Sequence, residues 1–185
     1  MTVSIDEIVA GMKQGKVALL PSDTCYGFSC DATNENAVRK IFELKKRDIS
    51  KPLSVLVASK DMAQSYVEWN EEIELLWNTY LPGPYTLVLP KKKNILLPFL
   101  SDTIGVRMPQ YELLTDISKK LGKPIVTTSA NVAGHDACYS VESVVMQIDR
   151  NSIDMILDIG EIPVRSPSTL VFWEAGAVRL KSRSV

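Results

Sequence analysis

Apolar positions recur along this chain at two spacings, and the switches between them mark its elements. Ile5, Ile8, Val9 and Met12 follow helical spacing behind a Ser4/Glu7 capping box, which predicts a first helix ending at Gly15. Residues 17–20 are continuously apolar, as in a strand buried on both faces. A polar stretch at 21–27, Pro-Ser-Asp-Thr-Cys-Tyr-Gly, comes next, and from Thr33 helical spacing resumes through Ala37, Val38, Ile41, Phe42 and Leu44. Residues 21–27 therefore read as a strand-to-helix loop at a strand's C-terminal edge, where open α/β sheets bind ligands. That second helix runs out near residues 45–47.

Further on, the pattern predicts a strand at 53–58, helices at 59–69 and 70–80, and a hard stop at the Pro-Gly-Pro of 82–84. Strands at 85–90 and 103–108 flank a polar loop at 91–94. A helix at 113–121 ends at Gly122, a strand covers 125–128, a helix capped by Ser140 covers 140–148, and a strand covers 155–157. Strands at 168–173 and 177–180, joined by Glu174-Ala-Gly176, read as a closing hairpin. Strands and helices interleave without repeats or linkers. The expectation is an α/β fold in which a twisted mixed β-sheet is flanked by helices, one domain over residues 1–185.

Composition narrows the function classes. Among 185 residues, 45% are hydrophobic and 23% charged, which is globular rather than disordered composition. Lys and Arg number 21 against 22 Asp and Glu, so overall balance argues against a strongly basic nucleic-acid binder and leaves local patches open. No apolar run approaches the ~20 residues of a membrane helix, and the acidic start lacks the basic region of a secretory leader. Three cysteines without framework spacing suit a reducing compartment, so a cytoplasmic protein is expected.

Several familiar motifs fail on inspection. Gly11 to Lys16 echoes a phosphate loop, but it is one residue short between its glycines and precedes a strand. Cys25, Cys30, His135 and Cys138 lack zinc-finger spacing. With His135 as the single histidine and no Gly-x-Ser-x-Gly, a serine hydrolase is disfavoured. Three polar clusters remain. Lys45 and Arg47 either converge on an anion through period-2 geometry or complement a helix C-terminus. Ser129 and Asn131 either line one wall of a pocket or form a Ser-x-Asn turn. Arg107, inside an apolar strand, either meets a buried anion such as phosphate or pairs with a surface carboxylate at a sheet edge.

Taken together the clusters are more specific. Pro21-Ser-Asp-Thr-Cys-Tyr-Gly27, Lys45-x-Arg47, Lys51-Pro-Leu53, Leu81-Pro-Gly-Pro-x-Thr-Leu87, Gly105-Val-Arg-x-Pro109, Ser129-Ala-Asn131 and Pro167-Ser-Thr169 resemble the YrdC-like family in order and spacing over nearly the whole chain. In that family, Lys-x-Arg with Ser-x-Asn is the signature of threonylcarbamoyl-AMP synthases, and the chain resembles their short, single-domain form. The resemblance implies that L-threonine, bicarbonate and ATP, with Mg²⁺, give threonylcarbamoyl-adenylate and pyrophosphate. The product would pass to tRNA threonylcarbamoyl-transfer proteins that modify adenosine beside the anticodon.

By the same resemblance, Lys45 and Arg47 face the phosphates, and Ser129 and Asn131 are nucleotide ligands. Lys51, Thr103, Arg107 and Arg179 add ATP contacts, and Thr24, Ser168 and Tyr111 occupy threonine-binding positions. No metal ligand comes from a protein side chain. The departures are Ser22 for the usual Thr, Cys25 for Val, Asp48 for the proline after Lys-x-Arg, Tyr111 for a His of some members, and Arg179-Leu-Lys for Arg-x-Gly. The competing reading is an RNA-binding paralogue, recognising double-stranded RNA without synthase activity. Retention of both motif pairs weighs against it.

Overall fold

The helices begin where side chains replace the missing intrahelical acceptors. Ser4 Oγ accepts from Glu7 N at 3.2 Å and Glu7 Oε2 accepts from Ser4 N at 2.8 Å, which closes the predicted capping box of α1 (Ile5–Lys13). Asn34 caps α2 (Glu35–Leu44), Ser59 caps α3 (Lys60–Tyr66) and Asn70 caps α4 (Glu71–Tyr80). Gly122 takes the left-handed conformation at φ 73° to end α5 (Glu112–Leu121). Ser140 caps α6 (Val141–Val145), which is shorter than predicted. Turns continue beyond it, with Met146 N donating to Glu142 O and Gln147 N and Ile148 N both to Val144 O, while the Gln147 amide accepts from Val132 N and donates to Asp136 O.

The computed structural model describes residues 3–93 and 101–182. Nine strands appear among them: β1 (Ala18–Leu20), β2 (Gly27–Asp31), β3 (Ser54–Leu56), β4 (Tyr85–Pro90), β5 (Thr103–Arg107), β6 (Ile125–Ser129), β7 (Met155–Ile156), β8 (Thr169–Glu174) and β9 (Ala177–Lys181). They form one mixed sheet in the order β7-β1-β2-β6-β3-β5-β4-β8-β9. The predicted closing hairpin is present, with Ala175 and Gly176 both at positive φ between the paired Glu174 and Ala177. Asn94, which closes the polar loop predicted at 91–94, lies outside the described residues. No helix among the described residues is long and apolar enough to cross a membrane.

The prediction missed β2. Residues 21–26 therefore join two antiparallel strands, not a strand to a helix. Ser29 and Asp31 broke the apolar pattern because both are buried polar residues with partners distant in sequence, Asp31 also accepting from Thr33 N and Oγ1. Ser29 Oγ meets Thr127 Oγ1 at 3.3 Å, and Asp31 pairs with Lys123 at 2.8 Å.

The period-2 pleat sends the two sets of side chains to different surroundings. Phe28, Cys30, Val55, Leu87, Val106 and Val126 face α2, α3 and α4 in the larger core. On the opposite face Ala18, Leu20, Leu56 and Ile125 pack with residues of α1 and α5. Those two helices cover only part of that face. Further along the sheet the same-side residues are Gly27, Ser54, Gly105, Thr127 and Ser129, and these floor a cavity. Gly105 must be bare, since a Cβ there would stand 2.7 Å from Ser54 Oγ and 2.9 Å from Thr86 Cγ2.

The exit from α2 is a Schellman turn, in which Arg47 N donates to Phe42 O and Lys46 N to Glu43 O. Its left-handed residue is Lys46, at φ 48°, where glycine is the unstrained choice. Replacement Lys46→Gly is expected to raise stability by about 1 kcal/mol, the left-handed penalty less the added freedom of the unfolded chain. Urea denaturation of both proteins checks it, and an unchanged or lower midpoint would contradict the strain.

Candidate active site

The cavity has a volume of about 910 Å³. One wall is the loop after β1, which its own side chains hold rigid. Ser22 Oγ accepts from Thr24 N at 3.1 Å and Cys25 N at 3.2 Å and donates to Cys25 O at 2.6 Å. The fully buried Tyr26 donates its hydroxyl to Gly160 O at 2.8 Å, and its backbone joins Cys138 O and Ala130 N. Thr24 is thereby presented to the cavity from a fixed backbone.

The opposite wall joins the end of α2 to the end of β6. Lys45 is 2% exposed, and its Nζ donates to Ser129 O, to Asn131 O at 2.9 Å and to Asn131 Oδ1 at 3.1 Å. Its backbone carbonyl accepts from Ala133 N at 2.8 Å. The two predicted clusters are thus one structure, with the ammonium of the first holding the second. Burial, reinforced by the neighbouring Arg47 charge, pulls the Lys45 pKa down to about 8. The Lys45 donors, expected to face phosphate, are engaged by protein oxygens. Asn131 is likewise engaged at both ends of its amide, Nδ2 donating to Val132 O at 3.2 Å and to His135 O.

Arg47 keeps more of its guanidinium available. Nη2 donates to Pro52 O at 2.9 Å, while Nε is buried without a protein partner. Burial lowers its pKa, but arginine stays charged. Lys51, Thr103 and Ser168 also line the cavity. Ser168 is 4% exposed and its hydroxyl meets Thr86 Oγ1 at 2.7 Å.

Arg107 settles its two readings differently from either. β5 lies between β3 and β4, so the arginine is not at a sheet edge, and its anion is the carboxylate of Asp23 at 2.7 Å. The two side chains are 7% and 14% exposed. Sequence inspection left Asp23 outside the charged machinery.

Two predicted residues are not on the cavity lining. Tyr111 precedes α5 against the smaller core, and burial together with the Asp23 charge raises its pKa. Arg179 lies opposite Phe172 on the cavity side of β9, but its guanidinium is 68% exposed and turns to Glu174 at 3.6 Å. Conversely, Thr127, Arg165 and Phe172 line the cavity and were not predicted. Arg165 had one sequence signal, a lone cation in the run Pro163-Val-Arg-Ser-Pro-Ser168.

The Sua5/YciO/YrdC family model, described as telomere recombination, matches residues 10–181. A putative threonylcarbamoyl-AMP synthase of Methanocaldococcus jannaschii is 34% identical over 157 residues, covering 85% of this chain and 74% of that protein. The threonylcarbamoyl-AMP synthase of Vibrio vulnificus is 31% identical over 169 residues, covering 87% and 90%. Pyrococcus abyssi Sua5, solved with L-threonine, superposes with a TM-score of 0.85 at 32% identity, over 95% of this chain. The chain spans about half, 52%, of that longer protein. HypF in its phosphate- and nucleotide-bound form gives 0.82 at 25% identity, over 95% of this chain and 28% of that one. The chain belongs to the Sua5/YciO/YrdC family.

Proposed function

We propose that this chain is an L-threonylcarbamoyladenylate synthase, converting L-threonine, bicarbonate and ATP to threonylcarbamoyl-AMP and pyrophosphate. The observation that carries the reading is the Lys45 ammonium clamped on Ser129 and Asn131, which builds the two motif pairs into one wall of a cavity. Relatives bearing that synthase name support it, as does a superposable protein solved with L-threonine.

The chemistry asks for positioning and charge neutralisation. The threonine nitrogen attacks the carbon of bicarbonate, hydroxide leaves as water with a nitrogen proton, and a carbamate oxygen attacks the α-phosphorus as the bond to pyrophosphate breaks. Seven lysine and arginine side chains line the cavity against one carboxylate, Asp48. That excess favours a triphosphate and the charge that develops on departing pyrophosphate. Arg47 is assigned to the phosphates, Lys45 to holding the wall and supplying charge, and Thr24 and Ser168 to threonine. Mg²⁺ enters as part of the nucleotide substrate and takes phosphate oxygens as ligands. The labile adenylate requires a downstream transferase acting on tRNA, and three unpaired buried cysteines suit a cytosolic setting.

Purified protein is expected to release pyrophosphate from ATP only when threonine and bicarbonate are both present. Threonine-independent release would count against the synthase, and salt-sensitive RNA binding without ATP binding would instead favour the non-catalytic paralogue. Arg47→Ala is expected to lower kcat/KM for ATP by about 10²- to 10³-fold. Since Arg47 makes one carbonyl bond, chemical denaturation should register a loss of only about 1 kcal/mol.

Lys45 gives a pH signature with opposite signs. Its folded pKa, about 8, lies below the unfolded value, so below pH 8 both states carry the proton and the folded state bears the full cost of burial. Between about pH 8 and the ordinary lysine range the unfolded chain binds a proton that the folded one does not, and stability relative to Lys45→Met rises. Activity is expected to fall over the same interval as the charge is lost. Parallel activity and denaturation series check it, and a fall in both would count against the assignment.

A further inference from the structure

We infer that Asp23 is a positioning residue for the synthase site, holding the Arg107 guanidinium in the direction from which it meets the anionic part of a substrate; this rests on the function proposed above. Asp23 Oδ2 is 2.7 Å from Arg107 Nη2, and the two residues are 84 apart in sequence. Arg107 lines the cavity, whereas Asp23 lies behind it, flanked by the lining residues Ser22 and Thr24. The carboxylate is therefore placed to aim the arginine and not to touch the substrate.

Both partners have little freedom to do anything else. Asp23 Oδ1 and Arg107 Nε are buried without protein partners, so this one contact fixes the fork of the guanidinium. The Ser22 hydroxyl locks the loop that carries Asp23, and β5, paired on both sides, holds Arg107. Cys25, Tyr111 and Arg165 are further ionisable groups near this corner; Cys25 feels the Arg107 charge, and Tyr111 those of Asp23 and Arg165. An arginine with four rotatable bonds, released from Asp23, would sample orientations away from the substrate, and binding would bear the cost of reordering it.

The test is Asp23→Asn, which keeps shape and removes charge, beside Asp23→Glu, each in wild-type and Arg107→Lys backgrounds. The expected result is a rise of about tenfold in KM for ATP or for L-threonine with kcat changed far less, partial recovery in Asp23→Glu, and no further loss when Asp23→Asn is added to Arg107→Lys. An equal added loss in the Arg107→Lys background, or unaltered KM for both substrates, would overturn the inference. A second readout needs no turnover: the NMR signal of Arg107 Nε–Hε should be dispersed in the wild type and collapse toward the free-arginine position in Asp23→Asn. If that signal is unmoved the inference fails even in an active synthase. If it collapses in a protein without synthase activity, the positioning role stands and the proposed reaction falls.

Discussion

One buried ammonium organises this site. A lysine that is 2% exposed must replace its water with other acceptors, and the acceptors Lys45 finds are two backbone carbonyls and an amide oxygen just past the end of β6. Because they belong to residues 84 and 86 positions away, satisfying the charge also fixes α2 against β6. The backbone bond from Ala133 to the Lys45 carbonyl repeats the tie from the other direction. The left-handed Lys46 then turns the chain so that Arg47 emerges beside the same wall.

The remainder of the cavity follows from how the sheet is covered. α1 and α5 shield only part of one face, so a strand such as β6 changes character along its length, from Ile125 beneath helices to Thr127 and Ser129 beneath the opening. Hydroxyl side chains there suit a surface that is concave and wet, and glycines at 27 and 105 keep it deep. On the other face Phe28, Cys30, Val55, Val106 and Val126 pack against α2, α3 and α4, which gives the floor rigid backing.

Much of this was legible in the sequence because it rests on local rules. Capping residues, the Gly122 stop and the closing hairpin all announce themselves within a few positions. Strand β2 did not, since Ser29 and Asp31 are polar residues that reach Thr127 and Lys123, over ninety positions away, and the local bonds of Asp31 to Thr33 read as turn chemistry. The motif pairs were visible as residues, and their union through Lys45 was not, because spacing alone cannot say that a cation points inward. Asp23 was hidden for the same reason. Its partner is on β5, and a loop aspartate beside a serine otherwise looks like ordinary turn chemistry.

The partners chosen for the cations also explain how the site can be buried and still positive. The protein bonds that Lys45 and Arg47 make go to carbonyl and amide oxygens, which supply hydrogen bonds without supplying a negative charge. Their field therefore remains for a polyanion, and the lowered Lys45 pKa is the accompanying cost, since dipoles compensate burial less completely than a carboxylate would. Arg107 is arranged the other way. Its carboxylate partner cancels much of its long-range field and leaves a guanidinium of fixed direction. On the proposed function, the cavity combines a half that attracts by net charge with a corner that recognises by geometry, a division that suits bringing together one flexible, highly charged substrate and one small zwitterion.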